Sequence, residues 1–211
     1  MGKIKMDLNA ALRNDPAAKS KLEVILTYSG FHAVLGYRLA HFVYKKLKLK
    51  LLARIISQIV RFFTGIEIHP AAEIDGGLFI DHGAGVVIGE TTIIGKNCTL
   101  YQGVTLGGTG KDTGKRHPTL EDNVMVSAGA KVLGPITIGT RSKIGSGSVV
   151  LKDVPSDSTV VGIPGRVVRR YGKRTDDLDQ TFPDPLMKEF ARLNSEIEKL
   201  NNRIEMLEKG K

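Results

Sequence analysis

The chain has 211 residues, 41% of them hydrophobic and 25% charged, a balance that suits a globular protein and excludes a disordered polyelectrolyte. Its single cysteine, Cys98, excludes an intrachain disulfide framework and allows a reducing compartment. The net charge of +9 admits nucleic acid, an anionic surface or a polyanionic small ligand, but no nucleic-acid motif accompanies it.

The N-terminus carries Asp7, Arg13 and Asp15 and no apolar signal core, so no secretory leader is expected. The most apolar run, Leu51 to Phe63, contains Arg54 and Arg61 and is far short of the ~20 residues a spanning helix needs. A cytoplasmic protein without a membrane partner follows as the expectation. Residues 4–63 read as helices: Met6, Leu8, Ala11 and Leu12 form a short apolar face, and a longer pattern runs from Leu22 to Leu52 with breaks near Ser29-Gly30 and at Lys45–Lys50. Asp15-Pro16 has the form of an N-cap followed by proline at the first helical position.

From Ile66 to Leu151 aliphatic residues recur every sixth position. The runs are Ile68, Ile74, Ile80, Val86; then, after a two-residue slip, Ile88, Ile94, Leu100, Leu106; then Leu120, Val126, Val132, Ile138, Ile144, Val150. Neither an α-helix nor a plain amphipathic strand has this period; a hexapeptide repeat marks a parallel β-helix, three units to a triangular coil. Cys98 falls at an inward position and reads as core packing. Gly107 to Thr119 interrupts the repeat with a glycine-rich, charged loop that contains Arg116 and His117, the kind of excursion on a rigid scaffold where sites are built. Val154-Pro155 and Gly162–Gly165 mark turns leaving the solenoid.

Beyond it lies a basic patch, Arg169, Arg170, Lys173 and Arg174, then an acidic, proline-bearing linker. The last segment places Leu186, Phe190, Leu193, Ile197, Leu200, Ile204 and Leu207 at alternating spacings of four and three, the seam of a coiled coil. The domains expected are a helical domain 1–64, a β-helix 65–168, a linker 169–185 and a coiled-coil helix 186–211.

Of the five histidines, His32 and His41 lie in the helical block and read as structural. His82 stands in a glycine-flanked turn after Asp81, and Glu67 precedes it by fifteen residues, an offset that can bring a carboxylate on one coil beside a histidine on the next. A carboxylate-fixed histidine makes an oriented general base, although a histidine in a turn is more often a plain surface residue.

The runs Gly65-Ile66-Glu67-Ile68-His69-Pro70, Ile80-Asp81-His82 and Val87-Ile88-Gly89-Glu90-Thr91 resemble the serine O-acetyltransferase family. So do Gln102 through Lys111, Lys115-Arg116-His117-Pro118, and Ser148–Leu151 through Val161–Arg166; upstream, Asn14-Asp15-Pro16-Ala17 and Gly30-Phe31-His32-Ala33 are similar to its helical domain. The resemblance spans roughly residues 10–170. It implies an α+β protein with a left-handed parallel β-helix of hexapeptide repeats, an N-terminal helical domain and, from the heptads above, a C-terminal coiled-coil helix. It implies transfer of acetyl from acetyl-CoA to the L-serine hydroxyl, toward cysteine. His82 then matches the general base and Glu67 the orienting carboxylate, a position that is often aspartate in the family. Asp15 and Asp81 match the groups that hold the substrate ammonium, and Arg116 and His117 those that hold its carboxylate. Gly108, Ala128, Lys143 and Ser146 match positions along the CoA arm, with Arg166 near its phosphates. Acetyl-CoA is the cosubstrate, no metal is expected, and the assembly implied is a homotrimer or a dimer of trimers with sites between subunits. Family members often end in an isoleucine that enters O-acetylserine sulfhydrylase; this sequence ends Glu208-Lys209-Gly210-Lys211, which argues against that complex.

Other readings stay open at the level of sequence. A hexapeptide acetyltransferase for a sugar or other small acceptor fits the repeat, a zinc hydratase would need His69, His82 and His117 to converge, and a scaffold displaying its coiled coil would need no catalytic residues.

Overall fold

The structure, a computed structural model, describes residues 2–110, 113–174, 192–201 and 203. The chain forms two compact units, Met1–Asp176 and Asp177–Lys211. The first begins with four helices: α1 (Lys3–Asn14), α2 (Lys21–Thr27), α3 (Ser29–Lys45) and α4 (Lys50–Thr64). Asp15 is the C-cap of α1 and no helix starts at Pro16; α2 starts instead after Ser20, whose Oγ accepts the Glu23 N–H at 3.1 Å. The expected N-cap at Asp15 is thereby corrected. Its carboxylate is engaged elsewhere, by the Ala17 N–H and the Tyr28 hydroxyl. α4 stops at Gly65, left-handed at φ 70, and the chain turns into the first coil.

The strands follow as β1 (Glu67–Ile68), β2 (Glu73–Ile74), β3 (Phe79–Asp81), β4 (Val87–Ile88), β5 (Ile93–Ile94), β6 (Thr99–Tyr101), β7 (Thr105–Gly107), β8 (Thr119–Leu120), β9 (Met125–Val126), β10 (Lys131–Leu133), β11 (Thr137–Ile138), β12 (Lys143–Ile144), β13 (Val149–Val150), β14 (Ser158–Val161), β15 (Arg166–Arg170) and β16 (Lys173–Arg174). They stack as three faces of a parallel β-helix. The first face is β1-β4-β7-β10-β13, the second β2-β5-β8-β11, and the third carries β3-β6-β9-β12-β14. Every hexapeptide aliphatic points inward: Ile88, Ile94, Leu100, Leu106, Leu120, Val126, Val132, Ile138 and Ile144 are all at most 1% exposed. Burial of that column, each large side chain worth roughly 1.5–3 kcal/mol, drives the fold.

Register records where the repeat is broken. On the first face Glu67 pairs with Val87, Val87 with Thr105, Thr105 with Lys131 and Lys131 with Val149. Two of these intervals hold the eighteen residues of a regular coil. The coil from Glu67 to Val87 carries two residues more, and the coil from Thr105 to Lys131 carries eight more, in the loop between β7 and β8.

The first coil has no coil beneath it, so its backbone groups need other partners. The helices supply them. Ser57 Oγ donates to Ile68 O at 2.7 Å, His41 Nδ1 meets Pro70 O at 2.8 Å, and the Tyr37 hydroxyl donates to Ala72 O at 2.6 Å. Arg38 donates to the Ile74 and Asp75 carbonyls and pairs with Asp7, whose Oδ1 also accepts the Gly77 N–H at 2.7 Å and the Leu78 N–H at 3.2 Å. His41 is thus structural, and so is His32, whose Nε2 meets Ile25 O at 2.6 Å. Gly30 lets α3 lie on β3: a Cβ there would sit 2.0 Å from Ile80 O.

At the other end the chain reverses, so that β15 runs antiparallel to β14 and β16 antiparallel to β15. Strand structure therefore continues through Arg174, past residue 169 where the linker was expected to begin, because the basic segment pairs back onto the third face. In the second unit a helix covers residues 192–201, with Leu193, Ile197 and Leu200 exposed along it. The other expected seam residues, Leu186, Phe190, Ile204 and Leu207, lie outside the described residues. No helix among the described residues is long and apolar enough to cross a membrane.

Asp7 is 3% exposed and holds a charge and two backbone donors together. Replacing it with alanine removes the counterion of the half-buried Arg38 guanidinium and the acceptor of the Gly77 and Leu78 N–H groups, a loss of about 3–5 kcal/mol. We expect Asp7→Ala to lower the urea midpoint accordingly while Lys21→Ala, on the exposed surface, leaves it unchanged.

Candidate active site

Both interruptions of the repeat carry the side chains singled out from sequence. Phe79 pairs with Thr99 while Val87 pairs with Thr105, so the two extra residues of the first coil fall in the corner between β3 and β4. That corner is Asp81-His82-Gly83-Ala84-Gly85. The surplus pushes His82 outward: its side chain is 75% exposed and its backbone is left-handed at φ 57. Gly83 also has positive φ, and a Cβ there would lie 2.4 Å from Ile66 Cδ1, so this position has room for glycine alone. Ser29 Oγ donates to the His82 carbonyl at 3.2 Å and ties the corner to α3.

His82 Nε2 lies 3.9 Å from Asp81 Oδ1. Asp15 faces the same corner. Its Oδ2 accepts the Tyr28 hydroxyl at 2.6 Å and its Oδ1 the Ala17 N–H at 2.7 Å. Those two hydrogen bonds, Tyr28 first, hold the Asp15 carboxyl below its ordinary value, and the nearby His82 adds to the effect. The same bond pushes the Tyr28 phenol up to about 12, with a smaller contribution from Asp81. The structure thus brings Asp15, Asp81 and His82 together and adds Tyr28 and Ser29. Neither was singled out from sequence, where a lone aromatic at a helix junction carries no signal.

The second interruption holds Arg116 and His117, at the edge between the first and second faces. Arg116 Nη2 donates to Glu90 Oε2 at 2.8 Å. His117 is buried, and its Nδ1 accepts the Thr91 N–H at 3.2 Å. Burial first, then the Arg116 charge, lowers the affinity of His117 for a proton below the ordinary imidazole value. Lys115 Nζ donates to Thr91 O at 2.8 Å, closing the loop onto the corner. Glu90 and Thr91, quoted only as part of a motif, prove to be the loop's anchors.

Within one chain these groups occupy different edges of the prism, and among the described residues no hydrogen bond or ion pair links them. Glu67 lies at the edge of the His82 corner, since Gly85 N donates to Gly65 O one coil below. Its carboxylate pairs with Arg61 Nε at 3.3 Å, and among the described residues nothing bonds it to His82. His69, between Glu67 and the Arg116 loop, accepts the Ala71 N–H at Nδ1; burial and the charge of Arg54 depress its proton affinity.

The positions matched to the CoA arm are spread along the stack. Ala128 and Ser146 share the edge between third and first faces, where Ala128 O accepts the Gly147 N–H at 2.9 Å. Lys143 is exposed on β12, Arg166 is half-buried on β15, and Gly108 is exposed beside the Arg116 loop. Cys98 is fully buried and its thiol is pushed up to about 12 by desolvation, so it offers no nucleophile. Among the described residues no group of three histidine, cysteine, aspartate or glutamate side chains could hold a metal ion. His69, His82 and His117 do not converge as the zinc reading requires.

The family model described as bacterial transferase hexapeptide (six repeats) matches residues 117–152. The serine acetyltransferase of Bacillus pumilus is 59% identical over 206 residues, 97% of this chain and 94% of that one. The serine acetyltransferase of Bacillus subtilis is 58% identical, covering 96% and 94%. Among solved structures, Neisseria gonorrhoeae serine acetyltransferase in complex with serine has a TM-score of 0.75 at 42% identity, covering 79% of this chain and 67% of that one. Serine acetyltransferase from Brucella abortus in complex with coenzyme A has a TM-score of 0.77 at 43% identity, covering 80% and 67%.

The depressed proton affinities of His69 and His117 make stability depend on pH. Both are favoured neutral in the folded state, so their contribution is present above pH 6.5, the ordinary imidazole value, and is lost as pH falls through their lowered values. We expect the thermal midpoint to drop as pH falls below about 6.5 and the drop to shrink in His117→Gln, measured by calorimetry.

Proposed function

This chain belongs to the serine acetyltransferase family, and from that premise we propose how its own residues carry the transfer of acetyl from acetyl-CoA to the hydroxyl of L-serine. The products are O-acetyl-L-serine and CoA, a step toward cysteine, and we place it in the cytoplasm.

His82 is the general base. The serine Oγ proton passes to its imidazole as the oxygen attacks the thioester carbonyl carbon. The tetrahedral oxyanion then collapses, the C–S bond breaks, and the CoA thiolate takes the proton back from the imidazolium. Backbone N–H groups near Gly107-Gly108 are the donors we assign to the oxyanion. Asp15 and Asp81 hold the substrate ammonium; Asp15 suits this because Tyr28 and the Ala17 N–H keep it ionised and oriented. Arg116 and His117 hold the substrate carboxylate. Glu67 keeps the role of orienting His82, reached by exchanging its Arg61 partner for the imidazole at the last corner of the same coil. The CoA arm runs along Gly108, Ala128, Lys143 and Ser146, with Arg166 toward its phosphates.

The observation that carries this reading is the corner at residues 81–85. It has two residues more than the same corner of the later coils, and they present a histidine beside two carboxylates. The Arg116 loop sits on another edge, so a whole serine site needs a second copy of the chain. We propose a threefold assembly in which the His82 corner of one subunit meets the Arg116 loop of its neighbour. The exposed apolar faces of α3 and α4, with Leu39, Phe42, Ile59, Phe62 and Phe63, support burial against further copies. The exposed Leu193, Ile197 and Leu200 support a coiled coil of the C-terminal helices.

Thiol release from acetyl-CoA with L-serine, set against sugars and amino alcohols, tests the activity. His82→Ala should lose about 10²–10⁴-fold in kcat, and release that needs a sugar instead of L-serine would refute the acceptor assignment. The shared site has its own test. His82→Ala and Arg116→Ala proteins, each inactive alone, should regain activity when unfolded together and reassembled, because some interfaces then receive both intact halves. An unrecovered mixture of well-folded oligomers would mean that each chain builds its site alone.

A further inference from the structure

We propose that Thr91 is a positioning residue for the carboxylate-binding pair: it holds His117 in the neutral tautomer that carries its proton on Nε2, and it pins the backbone of Arg116 and His117 to the solenoid. The inference rests on the reading of Arg116 and His117 as the carboxylate site.

Four contacts join this one residue to Arg116 and His117. The Thr91 N–H donates to His117 Nδ1 at 3.2 Å, and the Thr91 hydroxyl lies 2.9 Å from the same ring nitrogen. The hydroxyl oxygen also accepts the backbone N–H of Arg116 at 3.0 Å and that of His117 at 3.1 Å. With two protons already donated to the oxygen, its own hydrogen has the ring nitrogen as its acceptor. A backbone N–H can only donate, so Nδ1 must present a lone pair and the neutral ring must carry its hydrogen on Nε2. A proton on Nδ1 would point at two donors.

The rest of the pocket agrees. Gly89 leaves the space the ring occupies: a Cβ there would lie 1.9 Å from His117 Cδ2 and 2.1 Å from Nε2. Burial and the adjacent Arg116 charge keep the ring neutral. Nε2 makes no hydrogen bond among the described residues, so the N–H placed there is the donor left for a ligand oxygen. Arg116 supplies the charge, with Nη2 steadied by Glu90 at 2.8 Å, and His117 supplies an oriented neutral donor. Thr91 sets the position of both because its hydroxyl accepts from two successive backbone N–H groups.

The tautomer is read directly by nitrogen-15 NMR of histidine-labelled, assembled enzyme at neutral pH. We expect His117 to show a bare Nδ1 and a protonated Nε2; the opposite tautomer would overturn the proposal. In kinetics, Thr91→Val removes the hydroxyl at nearly constant volume. The KM for L-serine should rise about tenfold or more, with the KM for acetyl-CoA unchanged, and Thr91→Ser should restore most of the loss. A folded Thr91→Val enzyme with the wild-type serine KM would overturn the positioning role, and if this variant does not fold the tautomer decides alone. Arg116→Ala with an unchanged serine KM would instead refute the underlying carboxylate site, whatever the tautomer of His117.

Discussion

Each coil of the solenoid borrows its backbone hydrogen bonds from the coils above and below, and that dependence governs the rest of the molecule. It forces a regular repeat, because partners must stay in register for every N–H to find a carbonyl. It also leaves the first coil exposed. The helical block answers with side chains in place of strands: Ser57, His41, Tyr37 and Arg38 reach four successive stretches of first-coil backbone, and Asp7 serves the Arg38 guanidinium and two backbone donors at once. The burial of Tyr37, which pushes its phenol up to about 12, shows how little water reaches this seam.

A scaffold so constrained has few places to put chemistry. Any residue within a regular coil either points into the core or lies flat on a face, so a projecting group needs a surplus of chain. The two surpluses, two residues at the His82 corner and eight in the loop before β8, hold the proposed base and the proposed carboxylate site respectively. Each is then tied back to the body of the fold by a side-chain hydroxyl, among other bonds. Ser29 holds the backbone of the first, and Thr91 holds that of the second. The electrostatics divide in the same way, with Asp15 and Asp81 near His82 and, near His117, Arg116 and Lys115 offset by the one carboxylate of Glu90.

Much of this was legible in the sequence because a period of six is visible without knowing any contact. Spacing alone points the aliphatics from Ile68 to Val150 inward, and they are buried; the long break before Leu120 marks its loop, while the two-residue slip, which spacing sets after Val86, falls in the corner just before it. Contacts that cross between the helices and the coils were not legible. Asp15 looked like an N-cap because Asp-Pro has that form, but its oxygens are taken by Ala17 and by Tyr28, thirteen residues away. The fifteen-residue offset allows Glu67 to approach His82 and the resemblance assigns it the orienting role, yet in a single chain its carboxylate pairs with Arg61 across the Gly65 turn. The basic segment from Arg169 reads as part of a linker because nothing in its composition shows that β15 folds back on β14. Thr91 carried no signal of its own: a threonine in a turn is common, and its importance comes from which atoms of a distant loop settle on it.

The fixed coil has a further consequence for the cosubstrate. On the proposed reading the acyl end of the thioester sits near the first surplus corners and its phosphates near Arg166, on the strand that closes the third face. The distance between them is therefore counted in whole strand spacings, in steps of about 4.8 Å. The stack acts as a ruler with fixed graduations. A carrier with a longer or shorter arm would not be accommodated by small shifts of side chains, but only by one graduation more or one fewer.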